Sequence, residues 1–427
     1  MRVAFYTLGC KVNQYETELM RENLINNGYE ICSADDVPDI FIINSCTVTA
    51  ESDRKTRQCV RRQRNKHPEA IIVLTGCMPQ AFPDKADELE CADIVLGNGT
   101  NHELCMCLEE HLKTGRRIIN VKPHEKDAIK QTAVNFHERT KAYLKIEDGC
   151  NRFCSYCIIP YARGRVRSKP IESIISETAT LANKGYKEIV LIGINLSAYG
   201  SDCNMTLADA VEAVASNNFI ERVRLGSMEP DQFTDETIDR LAAIPKLCPQ
   251  FHLSLQSGCD NTLKRMNRHY DSNFYYDLVC RLRDRFKDCS ITTDIMVGFA
   301  GETVEDFNKS VEFLKKVGFA RSHVFAYSRR KGTKADLMPD QIQTAEKERR
   351  SRIMISAAKE CMNSFLQTQL GNIYPVLFEN RNKDGYYEGY TPNYTLVKIK
   401  SEENPCGKIL NTKLIEIDND GCIGIIQ

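Results

Sequence analysis

The chain has 427 residues, of which 42% are hydrophobic, and a formal net charge of -1 at pH 7. This length accommodates about three domains, and the balanced charge excludes a globally basic nucleic-acid-binding protein, so any RNA contact must come from local patches. No apolar run approaches the roughly 18 residues that a membrane span needs, and no signal peptide is recognisable. With 19 cysteines, we expect a soluble cytoplasmic protein of a reducing compartment, whose thiols bind metal and form no disulfide with a partner.

Residues 1–121 alternate strand and helix patterns. Strand patterns at 3–9, 40–45 and 71–76 each lead directly into a cysteine, helix patterns cover 15–27 and 52–66, and a fourth strand pattern covers 92–96. The alternation predicts an open parallel α/β sheet, in which the strand ends meet at one edge. Cys10, Cys46 and Cys77, the N-terminal triad, should therefore lie together. This placement favours an auxiliary iron-sulfur site, and three ordinary core thiols are the alternative.

The helix pattern that follows Cys46 is strongly basic. Between positions 54 and 66 it has no acidic residue, and its cations are Arg54, Lys55, Arg57, Arg61, Arg62, Arg64 and Lys66. Arg54, Arg57, Arg61 and Arg64 recur at helical spacing, which predicts one cationic face. A charge run is usually a solvated face, but the start of this one at the Cys46 loop favours a phosphate-binding surface beside the site.

A linker of mixed charge at 122–138 leads to a second α/β series, over 138–365. Six strand patterns, at 142–147, 188–193, 222–227, 250–256, 290–297 and 321–327, alternate with helix patterns at 171–184, 206–216, 234–243, 273–287 and 303–317. Repeated strand-helix units predict a barrel of parallel strands, incomplete relative to the usual eight. An open six-stranded sheet is the alternative.

A compact cysteine motif follows the first strand of this series. Cys150, Cys154 and Cys157, the barrel triad, have the spacing CxxxCxxC after Gly149. Three thiolates so close can hold three irons of a 4Fe-4S cluster and leave the fourth iron open to a small chelating molecule. A zinc site and buried structural thiols are the alternatives. Zinc usually has four protein ligands, and no fourth cysteine or histidine follows at such spacing.

Polar or glycine positions mark the ends of the later barrel strands. They are Gly193, Asn195, Ser227, Glu229 and Gln256. Barrel enzymes keep their chemistry at the carboxyl ends of the strands. We therefore expect these positions to bind a cofactor with amino, carboxylate and nucleoside groups, whereas plain strand-end turns are the alternative.

A second basic run lies just after the barrel triad. It consists of Arg163, Arg165, Arg167 and Lys169. These cations either steer RNA phosphates or cover the barrel rim, and we favour contact with RNA.

Residues 366–427 form a third region, after a charged helix pattern at 344–370. Strand patterns at 374–379, 385–390, 395–400 and 413–418 are separated by Gly, Pro and Asn, which predicts a small antiparallel β-barrel. Tyrosines interleave with cations in this region: Tyr386, Tyr387, Tyr390 and Tyr394 with Arg381, Lys383, Lys398 and Lys400. Aromatic rings beside cations fit looped RNA, and ordinary strand tyrosines are the alternative.

Five motifs together resemble one family. They are TLGCKVNQYET at 7–17, NSCTVT at 44–49, TGC at 75–77, CNRFCSYCIIPYARG at 150–164 and LQSG at 255–258. The barrel-triad motif resembles that of the radical S-adenosylmethionine (SAM) superfamily, and the whole set resembles its methylthiotransferases. The LGCKVNQYE version is similar to the branch that modifies N6-threonylcarbamoyladenosine (t6A) in tRNA. Cys259 departs from the family pattern, which has a small non-thiol residue there, and adds a candidate stray ligand.

The resemblance implies two 4Fe-4S clusters. The barrel triad would hold the cluster that binds and cleaves SAM, and the N-terminal triad would hold the cluster that supplies sulfur. The implied reaction places a methylthio group on carbon 2 of t6A at position 37, the adenosine 3′ of the anticodon. Electrons would come from a donor such as flavodoxin or ferredoxin, and a C-terminal TRAM domain would bind RNA.

Two alternative functions stay open. Sister branches of the family methylthiolate isopentenyladenosine in tRNA or an aspartate of a ribosomal protein. A non-catalytic iron-sulfur RNA-binding protein would account for the clusters and the final barrel, but it would give no reason for open cluster sites or for polar residues at the strand ends.

Overall fold

The computed structural model describes residues 1–124, 129 and 140–427, so the linker expected at 122–138 lies mostly outside the described residues. The amino-terminal part is a six-stranded parallel sheet in the order β2-β1-β3-β4-β5-β6. Its strands are β1 (Arg2–Thr7), β2 (Glu30–Ile31), β3 (Ile40–Ser45), β4 (Ile71–Gly76), β5 (Ile94–Leu96) and β6 (Ile118–Asn120). Its helices are α1 (Lys11–Asn26), α2 (Ala50–Lys66), α3 (Cys77–Ala81), α4 (Pro83–Asp87) and α5 (Leu104–Thr114).

The central strands of this sheet have the burial that is typical of a parallel sheet. Every residue of β3 and β4 is buried, as expected for parallel strands that helices cover on both faces. Helix α2 begins soon after β3 because Thr49 caps it, accepting a hydrogen bond from the Ser52 amide. The prediction of an open parallel α/β sheet is confirmed.

The central part is a curved wall of parallel strands in two adjoining sheets, β11-β10-β7 and β12-β13-β14-β15. The strands are β7 (Lys141–Lys145), β10 (Glu188–Ile192), β11 (Arg222–Leu225), β12 (Ser227–Met228), β13 (Gln250–Leu253), β14 (Ser290–Val297) and β15 (Arg321–Ala326), with β8 (Glu147–Asp148) and β9 (Arg167–Ser168) as a small antiparallel pair. A bridge between Val223 and Leu247 joins the two sheets. Within the described residues no ladder joins β7 to β15, which confirms an incomplete barrel.

The helices of the central part are α6 (Ile159–Arg163), α7 (Ile171–Asn183), α8 (Leu207–Ala215), α9 (Asp235–Ala242), α10 (Asp260–Arg265), α11 (Ser272–Arg285), α12 (Val304–Val317) and α13 (Thr344–Gln369). The longer ones cover the outside of the barrel, whereas the short α6 lies against α3 of the first part. Capping boxes start two of them, with Thr206 and Asp209 at α8 and Thr303 and Asp306 at α12. Across the described ranges, no helix has the length and apolarity needed to span a membrane.

Alternation along the strands gives the barrel a polar interior. Ala142, Ile189 and Val223 pack with the outer helices in the largest hydrophobic core. Successive strand residues point to opposite faces, so the registered pair Lys141 and Glu188 lies on the interior side. Charged groups therefore line the inside of the barrel below the strand ends.

The carboxy-terminal part is a closed five-stranded barrel in the order β16-β17-β18-β20-β19. Its strands are β16 (Ile373–Arg381), β17 (Tyr387–Tyr390), β18 (Leu396–Ile399), β19 (Ile409–Asp418) and β20 (Gly421–Ile426). Arg224 Nη1 donates to the Pro392 carbonyl at 2.8 Å, and Ser290 Oγ donates to the Asn393 carbonyl at 2.6 Å. This barrel therefore docks at the amino ends of the central strands, away from the cysteine loop.

Candidate active site

The N-terminal triad lies at one edge of the first sheet. Cys10 immediately precedes α1, Cys46 follows β3, and Cys77 is the first residue of α3. Gly9 has a φ of +114°, and a Cβ built on it would lie 2.9 Å from the Cys46 Cβ. Only glycine lets these two loops approach so closely. The structure thus brings together three cysteines that are more than thirty positions apart in the sequence.

The electrostatics of these thiols reflect their proximity. Burial raises the pKa of Cys77 to about 11 against the lowering effect of the Arg163 charge, with smaller contributions from Cys46 and Cys10. Burial likewise raises the pKa of Cys46, again with a contribution from Cys10. Without metal, the thiols of Cys46 and Cys77 are therefore protonated near neutral pH, and metal binding to them must release protons.

The barrel triad occupies the loop after β8. Gly149 precedes it with a φ of +91°, and a Cβ at that position would lie 2.0 Å from the Arg165 carbonyl oxygen. Two donors point at its sulfurs: the Ile159 amide at 3.4 Å from Cys157 Sγ and Arg268 Nη1 at 3.4 Å from Cys154 Sγ. Burial raises the pKa of Cys150 to about 12. N–H donors around thiolates are typical of iron-sulfur sites.

A buried ionic network, the Arg163 network, joins the loops that carry the two triads. Arg163 at the end of α6 pairs with Glu16 of α1 and donates from Nη2 to Asn13 Oδ1 at 3.0 Å. Asp148, which precedes the barrel triad, lies 3.6 Å from Arg163. Lys145 bridges Glu16 at 3.0 Å and Asp148 at 2.6 Å. All four charged side chains are less than one-tenth exposed, so the network fixes α1 against the barrel.

Two further contacts hold the N-terminal triad beside the barrel opening. Asn98 Nδ2 lies 3.4 Å from Cys77 Sγ and donates to the Ala162 carbonyl at 3.2 Å. Arg330, which follows β15, pairs with Asp53 of α2 at 2.7 Å. These contacts place the loops that carry the two triads on the two sides of one junction, which we call the cleft, between the edge of the first sheet and the loops that follow the barrel strands.

Comparison with protein families divides the chain in the same way. Residues 2–97 match the Uncharacterized protein family UPF0004, and residues 144–314 match the Radical SAM superfamily. The threonylcarbamoyladenosine tRNA methylthiotransferase MtaB of Aquifex aeolicus (strain VF5) is 36% identical over 408 residues, which cover 93% of this chain and 100% of that protein. The MtaB of Bacillus subtilis (strain 168) is 36% identical, with 97% and 94% covered. The chain belongs to the tRNA methylthiotransferases.

A second branch of the family is also similar to this methylthiotransferase. The tRNA-2-methylthio-N(6)-dimethylallyladenosine synthase of Finegoldia magna is 31% identical over 428 residues, covering 98% of this chain and 93% of that protein. Among solved structures, the radical SAM methyltransferase TsrM of Kitasatospora setae has a TM-score of 0.59 at 16% identity, over 79% of this chain and 77% of that chain. This likeness shows the fold. SAM and 4Fe-4S clusters are cofactors of the methylthiotransferase, and tRNA is its partner.

The donor chemistry of the two triads fits 4Fe-4S clusters. A cubane cluster takes each thiolate on a different iron, and each triad offers three thiols with an N–H donor beside at least one of them. In the described part of the methylthiotransferase, no three His, Cys, Asp or Glu side chains are placed to hold a single metal ion.

The strand ends around the barrel triad fit the amino group of SAM. Glu147 is fully buried, and its Oε1 has no hydrogen-bond partner among the described residues. Its other oxygen accepts from the Asn195 amide at 2.8 Å, and a Cβ at Gly193 would lie 2.6 Å from it. Gln256 Oε1 is likewise buried without a donor, and Gln256 has a strained φ of +67°. Buried hydrogen-bond acceptors without a donor are rare, and these two acceptors fit the positively charged amino group of a cofactor.

The other two candidate cofactor residues differ in role. Ser227 is exposed at the start of β12, so its hydroxyl is accessible. Glu229 pairs with Arg268 at 2.7 Å, and Arg268 in turn bonds Cys154. Sequence analysis missed Arg268, because it lies more than a hundred positions after the triad and no motif marks it. Sequence analysis also missed Glu147, although its position just before the cysteine motif was a usable signal.

The expectation that the run from Arg163 to Lys169 contacts RNA is wrong for most of its members. Arg163 and Lys169 are completely buried, the latter paired with Glu177. Arg167 is half-buried and points toward Asp148 at 3.5 Å. Of the four cations only Arg165 is exposed, because the others neutralise buried carboxylates.

The predicted cationic face of α2 also differs from the structure. Arg64 turns inward, pairs with Asp93 and donates to the Ala70 carbonyl at 2.9 Å. The remaining cations form an open surface, the α2 arginine surface, lined by Arg54, Arg57, Arg61, Arg62 and Lys66. This surface begins beside the cleft, since the first turn of α2 contacts Arg330.

The expected RNA-stacking role of the tyrosines is wrong for three of the four. Tyr387 is buried in the core of the C-terminal barrel. Tyr390 and Tyr394 stack on each other with centroids 4.5 Å apart, under Lys141 and Arg224 of the central barrel. These two rings build the interface between barrels. The half-buried Tyr386, with Lys400 5.1 Å from its ring centroid, keeps the expected pairing. Arg381 lies 5.4 Å from the ring centroid of Tyr387, but that ring is buried.

Cys259 is not a free thiol at the cleft. It is buried, and its Sγ donates to Asp306 Oδ1 of α12 at 3.2 Å. This hydrogen bond gives the thiol a packing role, so the expectation of a stray metal ligand is wrong.

Proposed function

We propose that this chain transfers a methylthio group to carbon 2 of t6A at position 37 of tRNA. Two cysteine triads that face one cleft carry this proposal, because the reaction needs one site that makes a radical and another that donates sulfur. The choice of t6A is supported by the relatives named threonylcarbamoyladenosine tRNA methylthiotransferase, at 36% and 37% identity, against 31% and 33% for relatives of the dimethylallyladenosine branch.

The residues divide into roles accordingly. The barrel triad would hold the cluster that binds SAM and would supply radical chemistry able to activate an aromatic C–H bond, and the N-terminal triad would hold the cluster that supplies sulfur. Arg268 donates to Cys154 and fixes the loop. Glu147 and Gln256 would accept hydrogen bonds from the cofactor's amino group, because each has a buried oxygen without a described partner, and Gly193 leaves space beside Glu147. A flavodoxin or ferredoxin supplies the electrons.

Deletion of the gene tests the substrate. Nucleosides from tRNA of a deletion strain should lack 2-methylthio-t6A and accumulate t6A, as measured by mass spectrometry. A plasmid with the native chain should restore the modified base, whereas Cys154→Ala should not, because two thiolates do not retain the cluster. Loss of 2-methylthio-isopentenyladenosine with normal t6A modification would assign the enzyme to the other branch.

The α2 arginine surface should bind the tRNA backbone. Replacing Arg57, Arg61 and Arg62 together by Gln removes three charges without touching Arg64, which supports the sheet. Since each phosphate contact releases counterions, the slope of log affinity against log salt should fall by about 2–3, and affinity by about tenfold or more at low salt. Fluorescence anisotropy with labelled tRNA at several salt concentrations measures both.

A charge-matched control separates this effect from net charge. Lys264, Lys287 and Lys359 are exposed on other helices and loops of the barrel region, and their joint replacement by Gln should leave the salt slope within error. Equal losses in both triple variants would show that the α2 surface has no special role.

A further inference from the structure

Lys11 is a cation without a counter-ion beside the N-terminal triad. It is the first residue of α1, directly after Cys10, and its side chain is half-buried. In the ranges 1–124 and 140–427 its ammonium group makes no hydrogen bond and no ion pair. Burying a charged group without a partner costs free energy, so the presence of a half-buried lysine at this position needs an explanation.

The charges near Lys11 do not compensate it. Its electrostatic neighbours are Lys141, Arg224, Glu188 and Cys10. Glu188 already bonds Arg224 at 2.8 Å, and the Lys141 ammonium is paired with Glu379 at 2.7 Å. Glu188 also lies 3.6 Å from Arg222, so among the described residues both of these carboxylates are already paired and the surroundings of Lys11 carry a net positive charge.

The position of Lys11 places this positive charge between Cys10 and the barrel interior. Helix α1 packs against β7, and its Val12 and Tyr15 belong to the core of the central barrel. Lys141 and Glu188, at the amino ends of β7 and β10, lie on the interior face of the barrel strands and are electrostatic neighbours of Lys11, so its side chain extends from Cys10 into the barrel interior. A substituent that extends from the N-terminal triad into the barrel interior would meet this ammonium group.

We propose that Lys11 determines substrate specificity by pairing with the carboxylate of the threonyl group of t6A. The inference rests on the proposed function. The threonylcarbamoyl group carries a carboxylate, whereas an isopentenyl group and an unmodified adenine carry none. The half-buried ammonium group of Lys11 can form a charge-assisted hydrogen bond with the threonyl carboxylate. It gains no such bond from an isopentenyl group or from an unmodified adenine.

Binding of anticodon stem-loop RNAs to the reconstituted enzyme tests this pairing. The native chain should bind RNA with t6A37 more tightly than RNA with A37. Lys11→Met should lose about tenfold or more of its affinity for the t6A RNA and keep its affinity for the A37 RNA. Lys11→Arg, which keeps the charge, should retain most of the preference. In turnover, Lys11→Met should raise KM more than it lowers kcat.

A t6A RNA whose carboxylate is methyl-esterified completes a double-mutant cycle. If Lys11 pairs with the carboxylate, esterification should weaken binding to the native chain but not to Lys11→Met, so the two changes are not additive. Additive losses would overturn the pairing, as would loss of iron from Lys11→Met, which would assign Lys11 to the cluster. A native chain that leaves 2-methylthio-t6A unformed in cells refutes the proposed function instead, and the binding cycle does not depend on that result.

Discussion

Replacing Cys10, Cys46 and Cys77 together by Ala should halve the iron content, from about eight to about four atoms per chain, and abolish methylthiolation. Cleavage of SAM should survive, because the barrel triad takes its donors from Ile159 and Arg268 and none from the first sheet. Anaerobic reconstitution, iron analysis and the yield of 5′-deoxyadenosine measure the three effects.

A matched triple variant controls for the loss of three thiols. Cys32, Cys59 and Cys91 pack against the hydrophobic core of the same sheet, and their replacement by Ala should leave about eight irons and full methylthiolation. Continued methylthiolation by the variant that lacks the N-terminal triad would remove the proposed sulfur donor. Loss of SAM cleavage in that variant would show that the two sites are not independent.

Most of the fold could be predicted because each strand is bounded by a strong local change in hydrophobicity. The strand expected at 290–297 is observed as Ser290–Val297, and all six barrel strands begin within a residue of their expected positions. The last strand, β20, escaped prediction because Gly421 and Gly424 interrupt its pattern. Both glycines permit close packing: a Cβ at Gly421 would lie 2.6 Å from the Leu396 carbonyl oxygen.

The site could be predicted only where its signal is local. The six cysteines are marked by their spacing or by strand ends, whereas Arg163 lies in a basic run that is typical of a surface. Its partner Glu16 is 147 positions away, and only the packing of α1 against the barrel shows that both are buried. The predicted RNA-stacking role of Tyr390 and Tyr394 was wrong for the same reason. The cations that cover their rings, Lys141 and Arg224, come from another part of the chain.

Replacement of Arg163 by Gln should be among the most destabilising single changes in this protein. The substitution leaves Glu16 buried with Lys145 as its only remaining cation among the described residues, while Asp148 keeps Lys145 and the more distant Arg167. Removing one partner from a buried ion pair costs about 3–5 kcal/mol, because the remaining charge stays desolvated. Chemical denaturation of the anaerobic metal-free protein should show this loss in the free energy of unfolding.

Arg165→Gln provides the control for this loss, two positions away in the same loop. Arg165 is exposed and lies 4.8 Å from the Phe153 ring centroid, so its replacement should change stability by no more than about 0.5 kcal/mol. Adding Glu16→Gln to Arg163→Gln should recover part of the lost stability, since the buried negative charge is then removed with its partner. Equal stability of the Arg163 and Arg165 variants would contradict the network. Loss of iron from the N-terminal triad in Arg163→Gln, with the barrel triad still loaded, would show that the same arginine also orients the first sheet toward the cleft.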